Sequence, residues 1–368
     1  MWKTSEGSTG RLVQLCLAYY FFYVIFGVAT KCFTGHYAVV SPAMTDMEFL
    51  VWSTLGGSLI CLLVVLVAGW WRTGTKTDRF VPMGPLRMPA EYLYIIPSGV
   101  CTAVVIPTTT LMYMLLKSVM VAMIIMRASV IVISRLVDEA QIRQGILQKR
   151  VYWEENVAMA FAVAAAATQI FLARSEDFDF VKNTAAMAVL SAYIGAYACR
   201  IYIMNYYKNT RPKGAPLDNK WFFSIEQISA SAAMSLIALG VFASSSAARP
   251  VLEFHAALTR VHPRWFSANV AGAVYGMVAF FSVFIFMFKG RTATFAGLVN
   301  RLTSLVAGTT ATLLSFFIFG AKFPSPADWG SLALILVAVG FLSLAEKKRV
   351  FELAKANEIP TRPVEVKP

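Results

Sequence analysis

The sequence predicts an all-α polytopic membrane protein with ten transmembrane helices arranged as two inverted five-helix repeats, on three observations. First, 58% of its 368 residues are apolar, only 14% are charged, and the mean hydropathy is +0.62. That leaves too little polar surface to coat the two or three soluble domains this length would suggest. Second, the apolar residues gather into ten runs close to the roughly 20 residues that cross a bilayer. Third, a lone arginine recurs at matching places in the two halves, in Met126-Arg127-Ala128-Ser129-Val130-Ile131-Val132 and Asn300-Arg301-Leu302-Thr303-Ser304-Leu305-Val306.

The runs predict helices over 12–33, 48–70, 91–115, 118–138, 152–173, 184–206, 221–243, 266–288, 292–319 and 327–345. The first is too long for a signal-peptide core, holds Lys31 near its far end and is followed by no small-residue cleavage pattern, so it is read as retained. The third and fourth come from one apolar stretch, Glu91 to Asp138, too long for one helix, and Lys117 is read as the tight turn dividing it. Glu154 and Glu155 open the fifth, where carboxylates suit a helix N-terminus. Five spans per half oblige the second half to enter the membrane inverted. The chain therefore divides into an N-terminal segment 1–11, a first repeat 12–173, a connecting loop 174–183, a second repeat 184–345 and a tail 346–368.

The formal charge of +13 comes from Lys and Arg lying between apolar runs, as in cytoplasmic loops, and not on one basic face, so no nucleic-acid partner is expected. Alternate loops and both termini form a side with roughly two and a half times the Lys and Arg of the other, which puts both ends of the chain in the cytosol. The longest loop of the opposite face, about 244–264, carries His255 and His262 and places Val251, Leu252, Phe254, Ala257 and Leu258 like a short helix lying on the interface.

A charge at membrane depth is expected to face a cavity or a partner. Arg127 and Arg301 lie near mid-bilayer, with Glu226 as the one deep carboxylate available to any arginine; Arg200 is read either as snorkelling or as a further cavity charge. Such a cationic cavity favours an anionic small molecule, because the guanidinium fork suits phosphate oxygens. Asn300 adds an amide beside Arg301, and Gly297, Arg301, Ser304, Gly308 and Thr312 form one small and polar stripe, suited to lining a pore or to packing. Tyr193, Tyr197 and Arg200 share a face, and Tyr19, Tyr20 and Tyr23 gather in the first span, where rings could stack a base. Ser224, Glu226 and Gln227 make a polar cluster read as a specificity site. Gly272 and Gly276, like the Ala160 to Ala167 tract, could pack within the bundle or form the contact of a homodimer. Cys16, Cys32, Cys61, Cys101 and Cys199 lack metal or disulfide spacing, and no HExxH, GxxxxGK[ST] or GxSxG motif is present. No enzyme, cofactor or metal is expected.

These residues resemble the drug/metabolite transporter superfamily, and within it the nucleotide-sugar transporters of solute carrier family 35. Thr109-Thr110-Leu111-Met112-Tyr113 leading into Met126-Arg127-Ala128-Ser129-Val130-Ile131 is similar to the MLRGSVIV-like fourth helix of that family, and Gly297-Leu298-Val299-Asn300-Arg301 looks like the GALNK motif of GDP-mannose transporters. The resemblance implies a central cavity lined by the fourth and ninth helices, with Tyr113 beside it. It also implies alternating access, exchange of a nucleotide sugar for a nucleoside monophosphate, and residence in an endomembrane such as the Golgi. Phe222-Phe223-Ser224-Ile225-Glu226 stands where GDP-mannose transporters carry FYNN, so the guanine-reading half of that pattern is absent. Two other functions are kept beside this one. One is proton-coupled movement of a small metabolite, amino acid or drug through Glu226. The other is a membrane adaptor that keeps the fold without transporting.

Overall fold

The computed structural model describes residues 8–34, 41–72, 80–83, 86–115, 119–148, 150–172, 184–210, 218–320, 323–324 and 326–358. Lys117, the predicted turn, lies outside the described residues, as do the 174–183 loop and the end of the tail.

Eleven helices are described: α1 Thr9–Phe33, α2 Asp46–Val67, α3 Tyr92–Leu115, α4 Val119–Arg143, α5 Trp153–Leu172, α6 Thr184–Asn209, α7 Asn219–Ala243, α8 Arg249–Thr259, α9 Trp265–Phe286, α10 Ala293–Phe319 and α11 Pro326–Glu358. Eight of them are long and apolar enough to cross a membrane, and the chain is an integral multi-pass membrane protein. The other two long helices are α4 and α5; α4 carries Arg127, Arg135, Asp138, Glu139 and Arg143.

The starts of these helices are written locally. Ser8 accepts from the Arg11 amide before α1, Thr45 and Glu48 form a reciprocal capping box before α2, and Asp218 and Thr292 cap α7 and α10. Gly320 ends α10 in the left-handed conformation at φ 65°, which costs a residue without Cβ nothing. Two features depart from the spans predicted. The 70–91 loop contains an antiparallel hairpin, β1 Phe80–Met83 with β2 Leu86–Pro89, in which Phe80 faces Pro89. And α11 continues past residue 345 to Glu358, because Glu346, Lys348 and Arg349 are held by Arg291, Glu154 and Glu155 and extend the helix beyond its apolar part.

The helices pack in a repeating scheme. α2 runs along α9, and α7 along α3; α1 lies against α9 and α10, and α6 against α3 and α4; α4 meets α10, and α5 meets α11. Small residues set the closest crossings. A side chain on Gly272 would strike the Ser53 backbone of α2, and one on Gly99 would strike the Glu226 backbone of α7. Gly272 and Gly276 thus pack inside the bundle, against α2. The alanine tract of α5 does the same against α11, where the Ser331 hydroxyl donates to the Ala165 carbonyl at 2.9 Å.

The two ends of the bundle differ. At the end where α1 begins, here the base, Asp138 of α4 accepts from the Ala293 and Thr294 amides at 2.8 and 2.6 Å, capping α10 from another helix, and takes Asn205 of α6 at 3.1 Å. Glu155 of α5 accepts from Thr292 at 3.0 Å and from Arg349 at 2.8 Å, Glu154 pairs with Lys348, and Glu346 with Arg291. At the opposite end α8 lies across α2 and α7, on the segment predicted as an interfacial helix. His262 there meets the Pro42 carbonyl at 3.1 Å, and His255 stacks on Phe242 with centroids 4.9 Å apart.

Candidate functional site

Four tyrosines and two arginines from four helices meet between the halves. On α1, Tyr19 and Tyr23 are one turn apart with ring centroids at 5.6 Å; on α6, Tyr193 and Tyr197 are likewise one turn apart at 4.9 Å. Arg127 of α4 donates from Nη2 to the Tyr23 hydroxyl at 3.0 Å, and its guanidinium carbon lies 5.9 Å from that ring. Arg301 of α10 stands 5.0 Å over the ring of Tyr197, within electrostatic reach of Tyr193 and Tyr19. Each arginine thus faces a tyrosine of the first helix of its own half, and the quadrupole of that ring attracts the cation.

The arrangement follows one register: Tyr193, Tyr197 and Arg301 each follow Tyr19, Tyr23 and Arg127 by 174 residues. That constant offset was available in the sequence and would have singled out Tyr19 and Tyr23 from Tyr20. Tyr20 in fact turns the other way, donating to Thr310 at 2.9 Å. Arg127 and Arg301 both sit eight residues into their helices, about 12 Å along the axis, from opposite ends of the bundle. Neither guanidinium has a carboxylate partner among the described residues, and Nε and Nη2 of Arg301 are buried with no hydrogen-bond partner there. Tyr19, Tyr193 and Tyr197 are all buried, so the cluster is closed to both sides.

The deep carboxylate is engaged elsewhere. Arg200 of α6 binds Glu226 of α7 through two bonds, Nε to Oε1 at 2.9 Å and Nη2 to Oε2 at 3.1 Å, with both residues buried. Ser98 and Thr102 of α3 donate to the same Oε1 at 2.7 and 3.3 Å. Arg200 therefore does not reach for the interface; a fully buried carboxylate one helix away holds it. The position 174 residues before Glu226 is Trp52 and that before Arg200 is Phe26, so this polar cluster has no counterpart in the first half.

The other predicted residues divide. Asn300 is fully buried and donates to Ser282 of α9 at 3.0 Å, while its Oδ1 has no partner among the described residues. Ser304 returns its hydroxyl to the Arg301 carbonyl at 2.8 Å, and Ser224 does the same to Trp221 at 2.8 Å. Gln227 is buried on α7. Tyr113 belongs to α3, with its side chain outside the described residues. The small-residue stripe of α10 faces α4: Gly297 meets Ser134, and the Arg127 guanidinium lies over Gly308. The structure thus brings together Arg127, Arg301, Tyr193 and Tyr197, adds Tyr19 and Tyr23, and sets Glu226 beside them behind Arg200.

No protein-family model matches this chain, and no curated protein matches it. Solved structures do. A crystal structure of another protein is similar to it with a TM-score of 0.58 and 13% sequence identity, over 93% of this chain and 99% of that one. At that identity the likeness concerns the fold alone.

Proposed function

We propose that the chain is a secondary transporter that carries an anionic metabolite by alternating access, with Arg127 and Arg301 as the anion-binding charges. The observation that carries this reading is two arginines at mirror depths, each set over a tyrosine and neither neutralised by a carboxylate among the described residues. A buried cation costs several kcal/mol unless something compensates it, and a ligand anion is the compensation this arrangement lacks. The ten long helices are read as two inverted halves. The packing scheme supports this, since exchanging α1–α5 for α6, α7, α9, α10 and α11 in order leaves the main helix pairings unchanged, as does the 174-residue register of the cluster.

In the mechanism that follows, the empty cationic site resists closure, an anion allows the halves to rock, and return requires an anion from the other side, which makes exchange obligatory. The ion pairs of the base separate when that end opens. The excess of Lys and Arg on the base loops orients this end to the cytosol. The resemblance to family 35 makes a nucleotide sugar exchanged for its nucleoside monophosphate the first substrate to test, and an endomembrane such as the Golgi the first compartment; the tyrosines supply faces for the base. Glu226, bound on both oxygens, is assigned to holding α6, α7 and α3 together. No catalytic role is assigned.

The test is a thermal-shift screen of detergent-purified protein against nucleotide sugars, nucleoside monophosphates, sugar phosphates and amino acids, followed by counterflow in liposomes. Matched stabilisation by one nucleotide sugar and its monophosphate is the expected result. Stabilisation by small zwitterions or cations alone overturns it in favour of a Glu226-coupled carrier, and no stabilisation by any ligand favours the adaptor.

A further inference from the structure

The largest groove in the molecule is not at the arginine cluster. It has a volume of about 720 Å³ and runs between α1, α10 and α11, opening sideways. Its walls are apolar, and Val13, Leu17 and Val339 on its rim are among the more exposed aliphatics of the chain, so in a membrane this groove opens to hydrocarbon. Its length is defined by three helices independently. The lining stretches are 9–20 on α1, 295–306 on α10 and 339–350 on α11, each about 16 Å along its axis. That is half the roughly 30 Å hydrocarbon core, one leaflet measured from the base.

The mouth at the base is polar and unbalanced. Glu346 accepts at Oε1 from Thr9, at 2.9 Å, and from Arg291, while its buried Oε2 has no partner among the described residues. The neighbouring Lys347 lines the same mouth and is exposed. A donor to Oε2 and an anion for Lys347, joined to a hydrocarbon chain one leaflet long, describe a single kind of molecule.

We propose that this groove is a binding site for a phospholipid with a primary-amine headgroup, its acyl chain between α1, α10 and α11, its ammonium on Glu346 and its phosphate on Lys347. A quaternary ammonium has no N–H to donate, so phosphatidylcholine satisfies the groove but not Glu346. The site is separate from the arginine cluster, and the inference does not rest on the transport reading.

The test uses delipidated, detergent-purified full-length protein titrated with phosphatidylethanolamine or phosphatidylcholine of identical acyl chains, with Tm as the readout and native mass spectrometry counting retained lipid. Phosphatidylethanolamine is expected to raise Tm with a half-effect at about tenfold lower concentration than phosphatidylcholine, the size expected of one charge-assisted hydrogen bond. Glu346→Gln, compared with its own lipid-free Tm, is expected to remove that discrimination, and Val339→Trp, which fills the groove, to remove the shift with both lipids. Equal half-effects of the two lipids on the wild-type protein overturn the headgroup assignment. An unchanged shift in Val339→Trp overturns the groove as the site. Should Glu346→Gln fail to fold, the wild-type lipid pair and Val339→Trp decide the matter alone.

Discussion

Arg301 stands 5.0 Å over the ring of Tyr197 with Nε and Nη2 buried and unpartnered among the described residues, so at mid-membrane it holds an uncompensated charge that only the aromatic face moderates. Such a contact contributes about 0.5–2 kcal/mol, less than the cost of burying a guanidinium. Replacing it with an apolar residue of similar volume should therefore relieve the empty protein. Arg301→Leu is expected to leave the ligand-free Tm equal or higher while abolishing the ligand-induced shift and counterflow. A variant that still exchanges substrate normally removes Arg301 from the mechanism.

Glu226 is the opposite case. Removing one member of a buried pair leaves its partner charged without compensation, at a cost of about 3–5 kcal/mol. Glu226→Ala should express poorly or melt far below the wild type, and Arg200→Met with Glu226→Met together should recover most of the loss. If Glu226→Gln instead folds well and loses only the pH dependence of uptake, Glu226 is a proton carrier and its structural assignment fails.

Asp138 caps α10 from α4 through the Ala293 and Thr294 amides. Charge-assisted bonds of this kind contribute about 1.5–3 kcal/mol each. Asp138→Ala should loosen the base in particular, seen as faster alkylation of a cysteine introduced at Ala293, with a lowered Tm. Unchanged alkylation would mean that this contact does not close the base.

The two glycines nearest the argument should behave differently. At Gly272 any side chain meets the Ser53 backbone, so Gly272→Leu is expected to prevent folded protein from accumulating. At Gly308 an added Cβ stops 3.8 Å from Arg127 Nη1, an ordinary contact, so Gly308→Ala should fold with Tm within about 1 kcal/mol equivalent of wild type. Size-exclusion profiles and Tm of the two variants check both.

What the sequence by itself determined is what depends on neighbours along the chain. Crossing a bilayer demands a continuous apolar run, so the long helices fall within a few residues of the runs, and caps such as Thr45 with Glu48 are local pairs. The interfacial α8 was legible for the same reason, from its apolar spacing alone. The matching arginines were legible too, because an inverted second half leaves a fixed offset in residue number. What only the tertiary structure decided is partnership. Arg200 had no reading that separated snorkelling from pairing until α6, α7 and α3 were side by side, with Glu226 facing the guanidinium. Asn300 was expected to face a ligand and faces Ser282. Asp138 looked like a loop residue and caps a helix more than 150 residues away. A charged or polar group in a low-dielectric interior must find its complement across space, and which complement lies within hydrogen-bond distance is set by helix packing, not by sequence distance.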